Sequence, residues 1–195
     1  MPILTDAALA QLFTDARSFH GFTAEPVSDA TLTALYDLLK WGPSAFNAQP
    51  GRYLFLRTAE AKARLAPALK PANLEKTLAA PVTVIVAQDL RFYEHLPRLF
   101  SAYDAKALFE AEPALVASTA FRNSCLQGAY LMIAARALGL TCGPMSGFDA
   151  GKVNAEFFPD GRIQANFLCN LGYADLSGAK PRGPRLAFAE ACQLL

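Results

Sequence analysis

The chain is expected to form a single α+β domain. Two observations predict this. Segments with apolar residues at helical spacing alternate with short β-branched, strand-like runs. No internal repeat and no stretch of linker composition divides them. A third observation concerns partners. Of 195 residues, 53% are hydrophobic and 18% charged, so either the core is large or apolar surface is covered, which points to an obligate oligomer.

Thr5 and Asp6 cap a first helix over residues 7–14, with Leu9, Leu12 and Phe13 on one face. Residues 15–21 form a polar loop. Ser28 is the N-cap of a second helix, ending near Trp41, with Leu32, Leu35, Leu38 and Leu39 inward. After the loop 43–50 come a strand over 52–57, a helix over 59–69 and another over 73–78 that stops before Pro81. Residues 82–87, Val-Thr-Val-Ile-Val-Ala, suit a central strand covered on both faces. Residues 89–112 mix aromatics, charges and Pro97 and are expected as helix fragments in a mobile excursion.

The strongest helical segment is 114–140. Leu126, Ala129, Tyr130, Ile133, Ala134, Ala137 and Leu138 form one stripe, with Cys125, Gly128, Met132 and Ala135 opposite. A helix apolar nearly all round is buried in a core or at a subunit interface. Gly139 ends it. A helix over 153–158 and a strand over 163–172 precede a basic, Pro/Gly-rich segment, 180–185.

A net charge of +1 gives no electrostatic case for nucleic acid or an anionic membrane. No apolar run is long enough to span a bilayer, and the start has no signal-peptide pattern, so a cytoplasmic location is expected. Cys125, Cys142, Cys169 and Cys192 are spread without a CxxC, and His20 and His95 pair with none of them. Buried reduced thiols are expected, a catalytic Cys142 being the alternative. No metal site, phosphate loop, GxGxxG, HExxH or GxSxG is present, so any chemistry is expected to belong to a cofactor rather than to a catalytic side chain.

Five segments stand out. Pro43-Ser44-Ala45-Phe46-Asn47-Ala48-Gln49-Pro50 is a loop stiffened by proline at both ends, displaying a hydroxyl and two amides for an uncharged polar ligand edge. Arg17-Ser18-Phe19-His20 and Lys180-Pro181-Arg182-Gly183-Pro184-Arg185 are basic clusters at opposite ends of the chain that could converge on one phosphate. Asn73 and Lys76 share a helix face, an amide beside an ammonium. Gly143-Pro144-Met145-Ser146-Gly147-Phe148-Asp149 lets backbone approach a flat ligand. Each, taken alone, also reads as an ordinary turn, a solvated loop or a basic tail.

Taken in order, these segments resemble the FMN-dependent nitroreductase family. They are most similar to its malonic semialdehyde reductase group, through Thr14-Asp15-Ala16-Arg17, Lys76-Thr77-Leu78 with Ala80-Pro81-Val82-Thr83, and Ala137-Leu138-Gly139-Leu140 leading into the glycine segment. Ala16 and His20 stand where many relatives carry basic residues, and Ser146 where many carry an acidic one.

The resemblance implies a mixed sheet flanked by helices and an intertwined homodimer with FMN at the interface. Arg17, Ser18 and His20 would hold the phosphate and ribityl chain, with Lys180 and Arg182 closing on the phosphate. Pro43, Ser44, Ala45, Phe46 and Asn47 would come from the other subunit. Asn73 and Lys76 would face the pyrimidine edge of the ring, and Pro144, Met145, Ser146 and Gly147 would cover it. It also implies ping-pong hydride transfer from NADH or NADPH through flavin N5 to a small-molecule substrate. That substrate is malonic semialdehyde, reduced to 3-hydroxypropanoate, or else a quinone or nitroaromatic. A flavin carrier or sensor is the non-enzymatic alternative.

Overall fold

A computed structural model describes residues 2–178 and 181–195; the Lys180 assignment lies outside them. The centre is β2 (Val82–Asp89), in which every residue is buried. It pairs antiparallel with β1 (Gly51–Leu56) on one side and β4 (Ile163–Gly172) on the other, and β4 pairs antiparallel with β3 (Thr141–Met145). The order is thus β1-β2-β4-β3. The sheet was expected to be mixed; its four strands are antiparallel, and among the described residues the parallel component is one bridge from Ser18 to Cys142 at the β3 edge.

Strand periodicity sorts β2 onto two cores. Val82, Val84 and Val86 face the cluster that holds Leu35, Leu39, Leu131, Leu140 and Cys142. Ile85 and Ala87 face the one that holds Leu65, Met145, Val153 and Leu168. The first core is roofed by α2 (Asp29–Leu39) and α7 (Pro113–Ala137). The second is covered by α3 (Ala59–Leu65) and α8 (Ala150–Phe157). The excursion after β2 contains α5 (Leu96–Leu99) and α6 (Ala105–Ala111) and has a small core of its own, with Phe92 and Phe109 at 4.9 Å between ring centroids.

Three helical expectations change in detail. Helix α1 (Asp6–Leu9) passes into a π-helical turn over Ala10–Thr14, closed by the Asp15 N–H on the Ala10 carbonyl at 2.8 Å. Phe13 is therefore exposed rather than inward. In α2 the Ser28 hydroxyl caps Thr31 N–H as expected, but Leu38 points outward.

In α7 only part of the apolar stripe enters the core of this chain. Leu126 and Tyr130 are exposed, whereas Asn123, Ser124 and Gln127 are buried beside Val116, Ala120 and Leu131. Those polar side chains go inside because each finds a partner there, which offsets their desolvation. A strand over 141–145 was not foreseen. Gly143 and Pro144 read as a turn in sequence, but β4 supplies the edge that they pair with.

One ion cluster ties β1 and β2 to the residue that precedes β4. Asp89, 1% exposed, accepts from Arg52 Nη2 at 2.6 Å and from Arg162 Nε and Nη2 at 2.9 and 3.0 Å. The Arg91 N–H adds a bond at 2.8 Å. Burial alone would raise this carboxyl's pKa, but the hydrogen bonds from Arg162 and Arg91 and the charges of Arg52 and Arg162 hold it below the usual carboxylate range.

Candidate active site

The two basic clusters meet, as expected. A cavity of about 570 Å³ is lined by Arg17, Ser18, His20, Arg136, Arg182 and Arg185, with Asp175, Ser177 and Phe13 among its other walls. The π-helical turn shapes it by turning its last carbonyls toward the arginines. Arg17 Nη1 donates to Thr14, Asp15 and Ala16 carbonyls at 3.3, 3.1 and 3.2 Å. Arg182 Nη2 donates to Phe13, Thr14 and Ala16 carbonyls, the last at 2.6 Å.

Among the described residues, none of the four guanidinium groups has a carboxylate within ion-pair distance. Desolvation, then the like charges of Arg17 and Arg185, draw the Arg182 pKa below its usual value. Asp15 offsets this only in part, and Asp175 also lines the cavity; crowded cations with no ion-paired carboxylate make a candidate anion site. Arg136 was missed in the sequence because it looked like an ordinary basic residue in the last turn of α7. Its Nη1 donates to the Leu12 carbonyl at 2.8 Å, and its Nε is buried without a partner among the described residues.

The loop 17–23 is fixed by β3 and β4. Phe19 N–H donates to the Cys142 carbonyl at 3.2 Å, and Thr23 N–H to the Tyr173 carbonyl at 2.9 Å. Gly143 was expected to admit a flat ligand; it admits this loop instead, since a Cβ there would lie 2.7 Å from the Phe19 carbonyl oxygen. Gly143→Ala is therefore expected to push residues 17–20 off β3 and weaken anion binding about tenfold or more. Calorimetric titration of a phosphate ligand checks this.

Asn73 and Lys76 share one face of α4 (Pro71–Ala79), beside the segment after β3. Asn73 Nδ2 donates to the Gly147 carbonyl at 2.8 Å, which also accepts the Lys70 N–H at 3.0 Å. A Cβ on Gly147 would meet that amide nitrogen at 2.5 Å. The donor end of the amide thus holds the segment Pro144, Met145, Ser146, Gly147 in place rather than being displayed for a ligand. Lys76 is half-buried, and its ammonium has no ion pair among the described residues. Strand β3 spaces the two patches. Ser18 bridges Cys142, and four residues on, Ser146 lies about 13 Å away at ~3.3 Å per residue.

The loop 43–50 does not line this cavity. Nor does it display its polar side chains as expected, because they hold the loop itself. Ser44 Oγ accepts Gln49 N–H at 3.0 Å, Asn47 Nδ2 donates to the Leu99 carbonyl at 3.0 Å, and Gln49 Nε2 donates to Asn47 Oδ1 at 2.9 Å. Phe46 packs edge-on against Phe100 and Phe109 at 5.4 and 5.5 Å. Phe46, Asn47 and Gln49 have φ of 55°, 50° and 46°, the left-handed region that costs non-glycine residues of order 1–3 kcal/mol each. Pro43, Ala45 and Asn47 are exposed.

Two of the four thiols are buried as expected, whereas Cys125 is half-buried and Cys192 exposed. Cys142 and Cys169 are buried, and the neighbouring Cys142 thiol together with burial pushes the Cys169 thiol up. No group of metal-ligating side chains occurs among the described residues. No helix there is long and apolar enough to cross a membrane.

The nitroreductase family profile matches residues 14–173. A Rhodopseudomonas palustris protein provisionally named NADH dehydrogenase/NAD(P)H nitroreductase is 56% identical over 192 residues, 98% of each chain. A provisionally named nitroreductase from Bacillus subtilis superposes with TM-score 0.86 at 22% identity, covering 98% of this chain and all of that one. Another, from Exiguobacterium sibiricum and solved with FMN, gives 0.82 at 21% identity, covering 100% of this chain and 99% of that one. With this fold, this order of segments and these relatives, the chain belongs to the nitroreductase family of oxidoreductases.

Proposed function

We propose that the protein is a homodimeric, FMN-dependent NAD(P)H oxidoreductase. The observation that carries this reading is the cavity of four arginines without carboxylate partners at one end of β3, with the Asn73–Lys76 patch at the other. An anionic tail and a flat polar head, held apart by a short chain, fit that pair of patches. The FMN found with the Exiguobacterium sibiricum relative has that form.

Arg17, Arg136 and Arg182 would hold the phosphate and Ser18 and His20 the ribityl chain. Lys76 would set a positive charge at the pyrimidine edge, where preorganised charge is worth most in a water-poor site. Asn73 fixes Gly147 so that the backbone of Ser146 and Gly147 stays at the ring. Bound flavin supplies hydride acceptance from NADH or NADPH and hydride donation to a second substrate.

The dimer reading rests on surface that one chain leaves uncovered. Leu38 of α2, Trp41 just beyond it, and Leu126 and Tyr130 of α7 are exposed, Trp41 at 77%. They adjoin at Gly42, where a Cβ would touch Tyr130 at 2.8 Å. A contiguous apolar face of this kind marks an interface. Leu126→Glu is expected to yield a monomer in light scattering and, because loop 43–47 then lacks the partner's flavin, to lose FMN.

Malonic semialdehyde is the substrate we favour, on the resemblance of residues 14–17, 76–83 and 137–149 to that group. A general quinone or nitroaromatic reductase is the second reading, favoured by the name of the Rhodopseudomonas palustris relative. The test is anaerobic bleaching of the purified protein's flavin band by NADH or NADPH, then reoxidation by malonic semialdehyde, a quinone or a nitroaromatic. No bleaching with either nucleotide leaves a flavin carrier. Bleaching that malonic semialdehyde fails to reverse sinks the first substrate.

A further inference from the structure

Two buried amides on α7 bracket the strained loop. Asn123 and Gln127 are each 3% exposed and lie one turn apart on the same helix face. Asn123 Oδ1 accepts the Ala45 N–H at 2.8 Å, and Gln127 Oε1 accepts the Gly51 N–H at 2.8 Å. The three left-handed residues, Phe46, Asn47 and Gln49, all fall between these two anchor points. Asn123 Nδ2 in turn donates to the Thr119 carbonyl at 2.8 Å, which fixes the amide's orientation. A further tie, Arg52 Nη1 to the Gln49 carbonyl at 2.9 Å, leads back to Asp89.

Strained backbone persists only where its surroundings over-determine it. Here the polar side chains of Ser44, Asn47 and Gln49 are already hydrogen-bonded, within the loop or to the Leu99 carbonyl, so what faces outward is backbone with Pro43, Ala45 and Asn47. Such a surface is a preformed platform for a flat ligand, and its shape is dictated from α7. We infer that Asn123 and Gln127 are positioning residues, holding loop 43–50 in the conformation in which it meets the flavin ring. The inference rests on the flavin reading above for its ligand, though not for the clamp itself.

The experiment compares the full-length protein with Asn123→Leu, Gln127→Met and Asn123→Asp. Leucine and methionine keep the volume and remove the acceptor. Aspartate keeps the acceptor and, when protonated in this buried place, the donor as well. Two readouts are taken: the FMN dissociation constant by flavin fluorescence, and the rate of chymotryptic cleavage after Phe46, located by mass spectrometry.

Leucine and methionine are expected to weaken FMN about tenfold or more each and to speed that cleavage by a similar factor. Aspartate is expected to stay within about threefold of the parent on both. Unchanged FMN affinity in the leucine and methionine variants overturns the inference, even if cleavage rises, because the clamp is then only structural. An aspartate variant that behaves like leucine overturns it too. If the parent protein binds no FMN, the flavin reading falls and the positioning role with it; faster cleavage at Phe46 in the leucine and methionine variants would then report a clamp that is structural alone.

Discussion

Asp89→Ala is expected to destabilise the protein by about 3–5 kcal/mol, because removing one partner of a buried ion cluster strands the others. The lower end is favoured here. Arg52 and Arg162 are each 29% exposed and can recover some hydration, and Arg162 keeps Glu94 at 3.0 Å. Even so, the loss is a large share of the ~5–15 kcal/mol that holds a typical domain. Urea midpoints at unchanged slope measure it.

The same carboxylate sets a pH dependence. Its folded pKa is depressed, so its contribution is fully present above the unfolded value of about 3.9 and is lost as pH falls through the folded value. Asp89→Asn should flatten that acid limb, and an acid limb as steep as the parent's would refute the assignment. The effect also reaches loop 43–50, since Arg52 bonds the Gln49 carbonyl.

Arg17→Ala and Arg182→Ala should each weaken FMN binding about tenfold or more, through loss of a hydrogen bond to a charged group. Arg136→Met should do the same, although nothing in the sequence marks it. Riboflavin, which lacks the phosphate, is the control: its affinity should change little in all three variants. A loss equal for FMN and riboflavin would mean that the arginines shape the cavity and do not read the phosphate. The three effects will fall short of additive, because each guanidinium removed relieves the like-charge crowding on those that remain.

Much of this protein was legible in its sequence. Strands β2 and β4 were read almost to the residue, because a buried β-branched run and a glycine-bounded apolar run leave little choice. Helix α2 followed from its Ser28 cap and leucine spacing. The basic clusters at residues 17–20 and 180–185 were read as able to converge on one phosphate, and the cavity brings Arg17, Ser18 and His20 together with Arg182 and Arg185.

The tertiary structure decided what depends on a neighbour distant in sequence. Apolar spacing left Asn123, Ser124 and Gln127 out of the buried side of α7, where they lie by virtue of partners 36 to 78 residues away. Gly143 and Gly147 were read as room for a ligand, and they are room for the Phe19 carbonyl and the Asn73 amide. Arg136 joined the site only when α7 packed on the first π-helical turn. Local pattern fixes where the chain turns and which residues prefer water. It cannot say which buried polar group finds its partner, because that is a property of the pair.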